Sequence, residues 1–167
     1  MQNTASPGAP KLILNQFLPY QLVSLADQVS RIISQTYSPT FNLSRPEWRV
    51  LASLEELGQV SATSICGHST QDKMTVSRAI ASLESKGLLV RRSAMDDRRN
   101  KHLELTEAGH RLYQDIVPLI LAKEAGLLST LSNEENALLN TLLSKLKEQA
   151  DTMLQTIETS TGHQIQP

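Results

Sequence analysis

Eight of the chain's sixteen Lys and Arg residues fall between Gln71 and Lys101: Lys73, Arg78, Lys86, Arg91, Arg92, Arg98, Arg99 and Lys101. Four acids, Asp72, Glu84, Asp96 and Asp97, lie among them, so the stretch carries +4 while the whole chain carries −1. Cations gathered this way in a nearly neutral chain point to an anionic partner met at one place. Placed at about 100° per residue, residues 71–86 put Val76, Ala79, Ile80 and Leu83 on one side of a helix. Gln71, Met74, Thr75, Arg78 and Ser82 lie on or near the other, with Lys73 and Ser77 beside them. In a DNA major groove such a face has work for each residue. Gln can pair with adenine, Arg with guanine, and the Met and Thr methyls can touch thymine. The plain alternative is a solvated helix face.

The second half of the segment narrows the choice. Arg91, Arg92, Arg98, Arg99 and Lys101 crowd the two arms of an expected hairpin, where they repel one another unless an anion is present. Arginines at a hairpin tip can reach phosphates and enter a narrow minor groove. Asp96 and Asp97 can hold the guanidinium groups in register. The alternative here is a solubilising turn with local ion pairs. Helix and hairpin together favour double-stranded DNA over either alternative.

The elements that would position these groups follow from apolar spacing. Leu22, Leu25, Ala26, Val29, Ile32 and Ile33 predict a first helix from Leu14 or Pro19 to Tyr37, ended by Ser38-Pro39-Thr40. Ser44 and Glu47 form a capping box for a second helix carrying Trp48, Val50, Leu51, Leu54 and Leu57 up to Gly58. A short third helix is expected from Ser61, with Ala62, Ile65 and Cys66 inward and a turn at His68-Ser69-Thr70. The fourth covers Gln71 to Lys86 and stops at Gly87. Strands are expected at Leu88–Arg92 and Lys101–Leu105 around a polar loop from Ser93 to Asn100, with Leu103 and Leu105 on one face. Thr106 and Glu107 open a helix to about Leu128, with Pro118 expected to kink or break it. Ser132 and Glu135 form a second capping box, opening a last helix to about Ile157.

Composition sets the outer bounds. A chain of 167 residues with 40% hydrophobic content supports one domain with extensions, its core built from Leu, Ile, Val and Ala because aromatics are 4%. One cysteine excludes an internal disulfide and suits a reducing, cytoplasmic setting. No secretory leader is evident, and no apolar run approaches the ~20 residues a bilayer needs. No phosphate-binding glycine loop and no paired nucleophile and base occur, so neither an enzyme nor a cofactor is expected. Cys66, His68, His102 and His110 match no strong metal-ligand spacing. Cys66 reads more simply as a small core residue than as a redox sensor.

Several of these residues resemble one family. Asp97-Arg98-Arg99-Asn100 followed by Leu103-Glu104-Leu105-Thr106-Glu107-Ala108-Gly109 resembles the wing and next helix start of the multiple-antibiotic-resistance regulator (MarR) family. Thr75-Val76-Ser77-Arg78, Leu83-Glu84-Ser85-Lys86-Gly87-Leu88, and Leu43-Ser44 with Glu47-Trp48-Arg49-Val50-Leu51 resemble its other segments in the same order. Met74 departs from the polar residue frequent there. The resemblance spans about residues 14–151. It implies a mainly α fold with a small β-hairpin wing: a winged helix-turn-helix at about 42–105, flanked by dimerisation helices at about 14–37 and 106–158. Together these make one domain over 11–158 between a disordered tail at 1–10 and a frayed tail at 159–167.

It further implies a homodimeric transcription regulator, a repressor, on a pseudo-palindromic operator. Arg99 would enter the minor groove, Asp97 would brace the wing, and Arg78 with its neighbours would read the major groove. A small, often aromatic or phenolic, effector would bind between the dimer helices and the DNA-binding lobe. Tyr20, Ser24, Trp48 and Arg49 are the candidate lining, with core packing the plainer role for Trp48. Two rival readings stay open: a thiol-sensing regulator on the same fold, and a winged-helix protein-interaction module that binds no DNA. The Leu-rich last helix supports a dimer independently, since one small module seldom makes enough contacts for tight specific binding.

Overall fold

The computed structural model describes residues 11–94 and 97–162, with side chains for all of these except 93, 94, 97–101, 158, 161 and 162. The expected tail at 1–10 and residues 163–167 lie outside the described residues. The chain packs as two units, one ending at Lys123 and the other beginning at Glu124.

In the first unit, a 3-10 turn at Leu14–Gln16 precedes α1 (Leu18–Phe41). Helix α1 runs past Tyr37, where its end was expected, because Pro39 sits in the last turn. There it forfeits one hydrogen bond, and the turn still closes through Asn42 N–H donating to Ser38 O at 3.1 Å. Asn42 then leaves the helix in the left-handed conformation at φ 51°.

Helix α2 (Arg45–Leu57) starts as the sequence predicts. Glu47 N–H donates to the Ser44 hydroxyl at 3.4 Å and Ser44 N–H donates to Glu47 Oε2 at 2.7 Å. Helix α3 (Ala62–Ser69) is capped by Ser61, buries Ile65 and takes His68 into its last turn. Ala62 is exposed rather than inward, and Cys66 is half-buried. Helix α4 (Lys73–Ser85) begins two residues later than expected, because Asp72 caps it, accepting from Thr75 N–H at 2.9 Å.

Strands β1 (Leu89–Ala94) and β2 (Asp97–Leu105) pair antiparallel from Leu89↔Leu105 to Ser93↔Lys101, with an irregularity before Ala94↔Asp97. The arms therefore extend into the stretch expected to be loop. Val60, between α2 and α3, adds a one-residue bridge to Leu103, with N–H···O distances of 3.2 and 2.8 Å. Helix α5 (Glu107–Leu128) passes through Pro118 without a break. Its start needs Gly109, where an added Cβ would lie 2.2 Å from the Leu88 carbonyl oxygen. Thr106 completes that clasp, donating to Gly87 O at 2.7 Å and accepting from Gly109 N–H at 3.1 Å.

The core of this unit joins α1 (Tyr37), α2 (Val50, Leu51, Leu54), α3 (Ile65), α4 (Val76, Ala79, Ile80, Leu83), the hairpin (Leu89, Leu103, Leu105) and α5 (Ile116). Each Val, Leu or Ile side chain among these contributes about 1.5–3 kcal/mol by leaving water. Trp48 stacks on Tyr113 at 5.7 Å between ring centres and tilts against Tyr37 at 5.4 Å.

The second unit holds the end of α5 and helix α6 (Asn133–Gly162). The expected capping box is present: Glu135 N–H donates to Ser132 Oγ at 3.2 Å and Ser132 N–H to Glu135 Oε2 at 2.8 Å. Helix α6 continues through residues 159–162, where fraying was expected. Among the described residues no helix is long and apolar enough to cross a membrane.

Candidate nucleic-acid interface

Helix α4 divides as its periodicity requires. Val76, Ala79, Ile80 and Leu83 are buried, while Lys73, Met74, Ser77 and Arg78 are exposed and Thr75 and Ser82 are half-buried. Gln71 departs from the expected face. It precedes the helix, and its amide Nε2 donates to Pro46 O at 3.5 Å, which ties it to the start of α2. Thr75 is also engaged, its hydroxyl donating to Asp72 Oδ2 at 2.6 Å. That bond, with the Thr75 N–H, holds the exposed Asp72 carboxyl below the usual carboxylate range. The outward face is thus Lys73, Met74, Ser77 and Arg78, with Thr75 and Ser82 at its edge. Arg78 Nε donates to Met74 O at 3.4 Å, along the helix.

Glu47 positions this helix, a role the sequence does not show. The residue is 5% exposed, and its carboxylate accepts from Lys86 Nζ at 2.6 Å and Ser82 Oγ at 2.6 Å as well as from Ser44 N–H. Lys86 also donates to Asn42 O at 2.7 Å. The Glu47 carboxylate therefore joins the start of α2 to the last turns of α4, and Lys86 extends the link to the end of α1. Burial by itself would raise the Glu47 pKa, but donation from Lys86, Ser82 and Ser44 outweighs it and brings it down to about 2.

The cations of the basic segment divide by partner. Lys86 is paired with Glu47, Arg91 Nε lies 2.9 Å from Glu84, and Arg92 is paired with Glu104. Lys73 and Arg78 have no carboxylate within ion-pair distance among the described residues. Asp97, Arg98, Arg99 and Lys101 lie on β2, and their side chains are outside the described residues.

Two cavities flank α4. One of about 410 Å³ is lined by Ser44, Pro46, Glu47, Thr75, Arg78, Ala79 and Ser82. The other, about 370 Å³, is lined by α3 and α4 residues with Arg91, and Cys66 is in its wall. The four candidate effector residues do not converge on either. Tyr20 is exposed and Ser24 half-buried on α1, Trp48 packs between Tyr37 and Tyr113, and Arg49 faces a smaller groove beside Gln71. No group of three potential metal ligands occurs among the described residues.

Comparison with known proteins matches this geometry. The MarR family model matches residues 43–101, from the start of α2 to the second arm of the hairpin. The transcriptional regulator FarR of Neisseria gonorrhoeae is 26% identical over 112 residues, covering 67% of this chain and 77% of FarR. A MarR/EmrR family regulator from Acinetobacter sp. ADP1 superposes with a TM-score of 0.77 at 27% identity, covering 84% of this chain and 99% of that one. BpsR of Bordetella bronchiseptica, whose DNA binding is regulated by 6-hydroxynicotinic acid, superposes with a TM-score of 0.74 at 22% identity, covering 83% and 98%. The expected architecture, mainly α with a two-stranded wing, is the observed one.

Proposed function

From the premise that the chain belongs to the MarR family of transcription regulators and is not an enzyme, we propose that it binds double-stranded DNA sequence-specifically as a homodimer. The observation that carries this reading is the outward face of α4. Lys73 and Arg78 stand on it without carboxylate partners among the described residues, while the inward face and Glu47 fix the helix in place. Arg78 and Met74 read base edges, Lys73, Ser77, Thr75 and Ser82 border the groove, Arg99 enters the minor groove from a wing braced by Asp97, and Arg91, Arg92, Arg98 and Lys101 follow the backbone.

The dimer is supported by apolar side chains that α1 and α6 each leave in water. These are Leu18, Leu22, Leu25 and Ile32 on one helix and Leu138, Leu142, Leu146 and Met153 on the other. Two copies would set paired α4 helices about one DNA turn apart, on a pseudo-palindromic operator. The protein acts in the cytoplasm as a repressor, released by a small aromatic acid. The regulation of BpsR by such an acid on the same fold supports that part.

Selection of bound duplexes from a random pool tests the reading. A two-fold symmetric site is the expected product, and the affinity for it should fall steeply with salt. Recovery of no preferred sequence would remove the regulator reading and leave a protein-interaction module. A second reading, a thiol switch, is favoured by one observation: Cys66 lines the cavity beside α4. If Cys66→Ser abolishes a peroxide response of DNA binding, that switch operates.

A further inference from the structure

A cationic surface also lies outside the basic segment. A groove of about 240 Å³ is lined by Ser30 of α1, by Arg45, Pro46 and Arg49 of α2, and by Gln71. Arg45 and Arg49 stand four residues apart and so leave the same face of α2. Arg45 Nη1 lies 3.2 Å from Asp27 Oδ1 and 3.5 Å from Ser30 Oγ. Asp27, however, is shared with Arg31 at 3.2 Å. Arg49 has no carboxylate within ion-pair distance among the described residues. Arg31 and Arg45 therefore share one carboxylate, and Arg49 beside Arg45 has none among the described residues, so an anion between Arg45 and Arg49 would be favoured.

Two neutral groups of this groove, Ser30 and Gln71, can each donate a hydrogen bond. Ser30 offers a hydroxyl, and the Gln71 amide is held only at 3.5 Å, the outer limit of a hydrogen bond. Tyr37 lies close enough to feel both Arg45 and Arg49, yet burial outweighs their pull and pushes its phenol up to about 12, so it adds no competing negative charge. Pro46 lines this groove and also the larger one beneath Arg78, so the two grooves adjoin.

We propose that the Ser30–Arg45–Arg49–Gln71 groove is an oxyanion site, in which the two arginines bracket a phosphate or carboxylate group and Ser30 and Gln71 complete its hydrogen bonds. Two sources have this chemistry. One is a backbone phosphate of the duplex read by α4, and that source rests on the DNA-binding function proposed above. The other is a free carboxylate or phosphate in solution, which does not.

The test compares the full-length wild type with Arg49→Gln and Arg45→Gln, both at exposed helix positions, with thermal melting to confirm that each folds. If the source is a DNA phosphate, Arg49→Gln weakens operator and random DNA alike. It also reduces the magnitude of the log–log salt slope by about 0.9. If the source is a free anion, sodium benzoate or inorganic phosphate at constant ionic strength shifts the Arg45 and Arg49 side-chain NMR signals saturably in the absence of DNA. In that case Arg49→Gln removes the response. An unchanged salt slope together with no saturable shift from either anion overturns the proposal. A wild type that binds no DNA sinks the regulator reading but leaves the NMR titration to decide the groove.

Discussion

Helices α4 and α6 are both amphipathic, yet they dispose of their apolar residues in opposite ways. Within 13 residues α4 buries Val76, Ala79, Ile80 and Leu83 against its own chain. Over 30 residues α6 buries none of its described side chains and leaves Leu138, Leu142, Leu146, Met153 and Ile157 in water. The first helix is complete within one copy, which frees its other face to be polar and sparsely charged. The second is incomplete by several residues, each with about 1.5–3 kcal/mol to gain from burial, and a patch of that kind marks an interaction surface.

The contrast can be tested from either side. Leu83→Ala, at a fully buried position, should cost about 2–5 kcal/mol and lower the melting temperature equally at all protein concentrations. A loss that disappears at high concentration would mean that α4 also depends on a partner. Leu142→Glu should do the reverse, weakening self-association by at least about 2 kcal/mol, roughly thirty-fold. Sedimentation at two concentrations checks this, and an unchanged association state would refute the role given to α6.

Lys86→Met tests the latch that completes α4. It leaves the Glu47 carboxylate without its cation, at a cost of roughly 1–3 kcal/mol. Glu47 also sets an acid limit. Its folded pKa lies near 2 against an ordinary 4.5, so its contribution is fully present above about pH 4.5 and is lost as pH falls toward 2. In Lys86→Met that loss should be smaller, because less stabilisation of the charged form remains to be titrated away. Denaturant melts across this pH range read it. Smallest of all, Glu104→Gln should change stability by under about 1 kcal/mol, because Arg92 is 66% exposed. Its effect should instead be tighter DNA binding, through release of a wing cation.

What the sequence revealed was local. Both capping boxes, Ser44 with Glu47 and Ser132 with Glu135, are three-residue signals, and both are present. The inward face of α4 and the pairing of Leu103 and Leu105 on one side of the hairpin are periodic signals, and they too were legible. The rest depends on contacts between distant segments. Gln71 fits the helical wheel of α4, but Asp72 caps the helix first and Pro46 captures the Gln71 amide from 25 residues away. Glu47 announces itself as a cap, whereas its bonds to Ser82 and Lys86, 35 and 39 residues on, exist only after α2 and α4 meet. Pro39 and Pro118 were expected to end or bend helices. Neither ends one: α1 closes two residues after Pro39, and α5 continues ten residues beyond Pro118.

The bridge between Val60 and Leu103 places the entry to α3 beside the exit from the wing, joined by two hydrogen bonds. A segment whose ends lie side by side can be exchanged as a block, because the flanking chain sees the same two attachment points whatever lies between them. Residues 60–103 therefore have the geometry of a transferable cassette. Grafted into a relative with matching inward residues, they should carry DNA preference with them and leave the recipient's self-association behind.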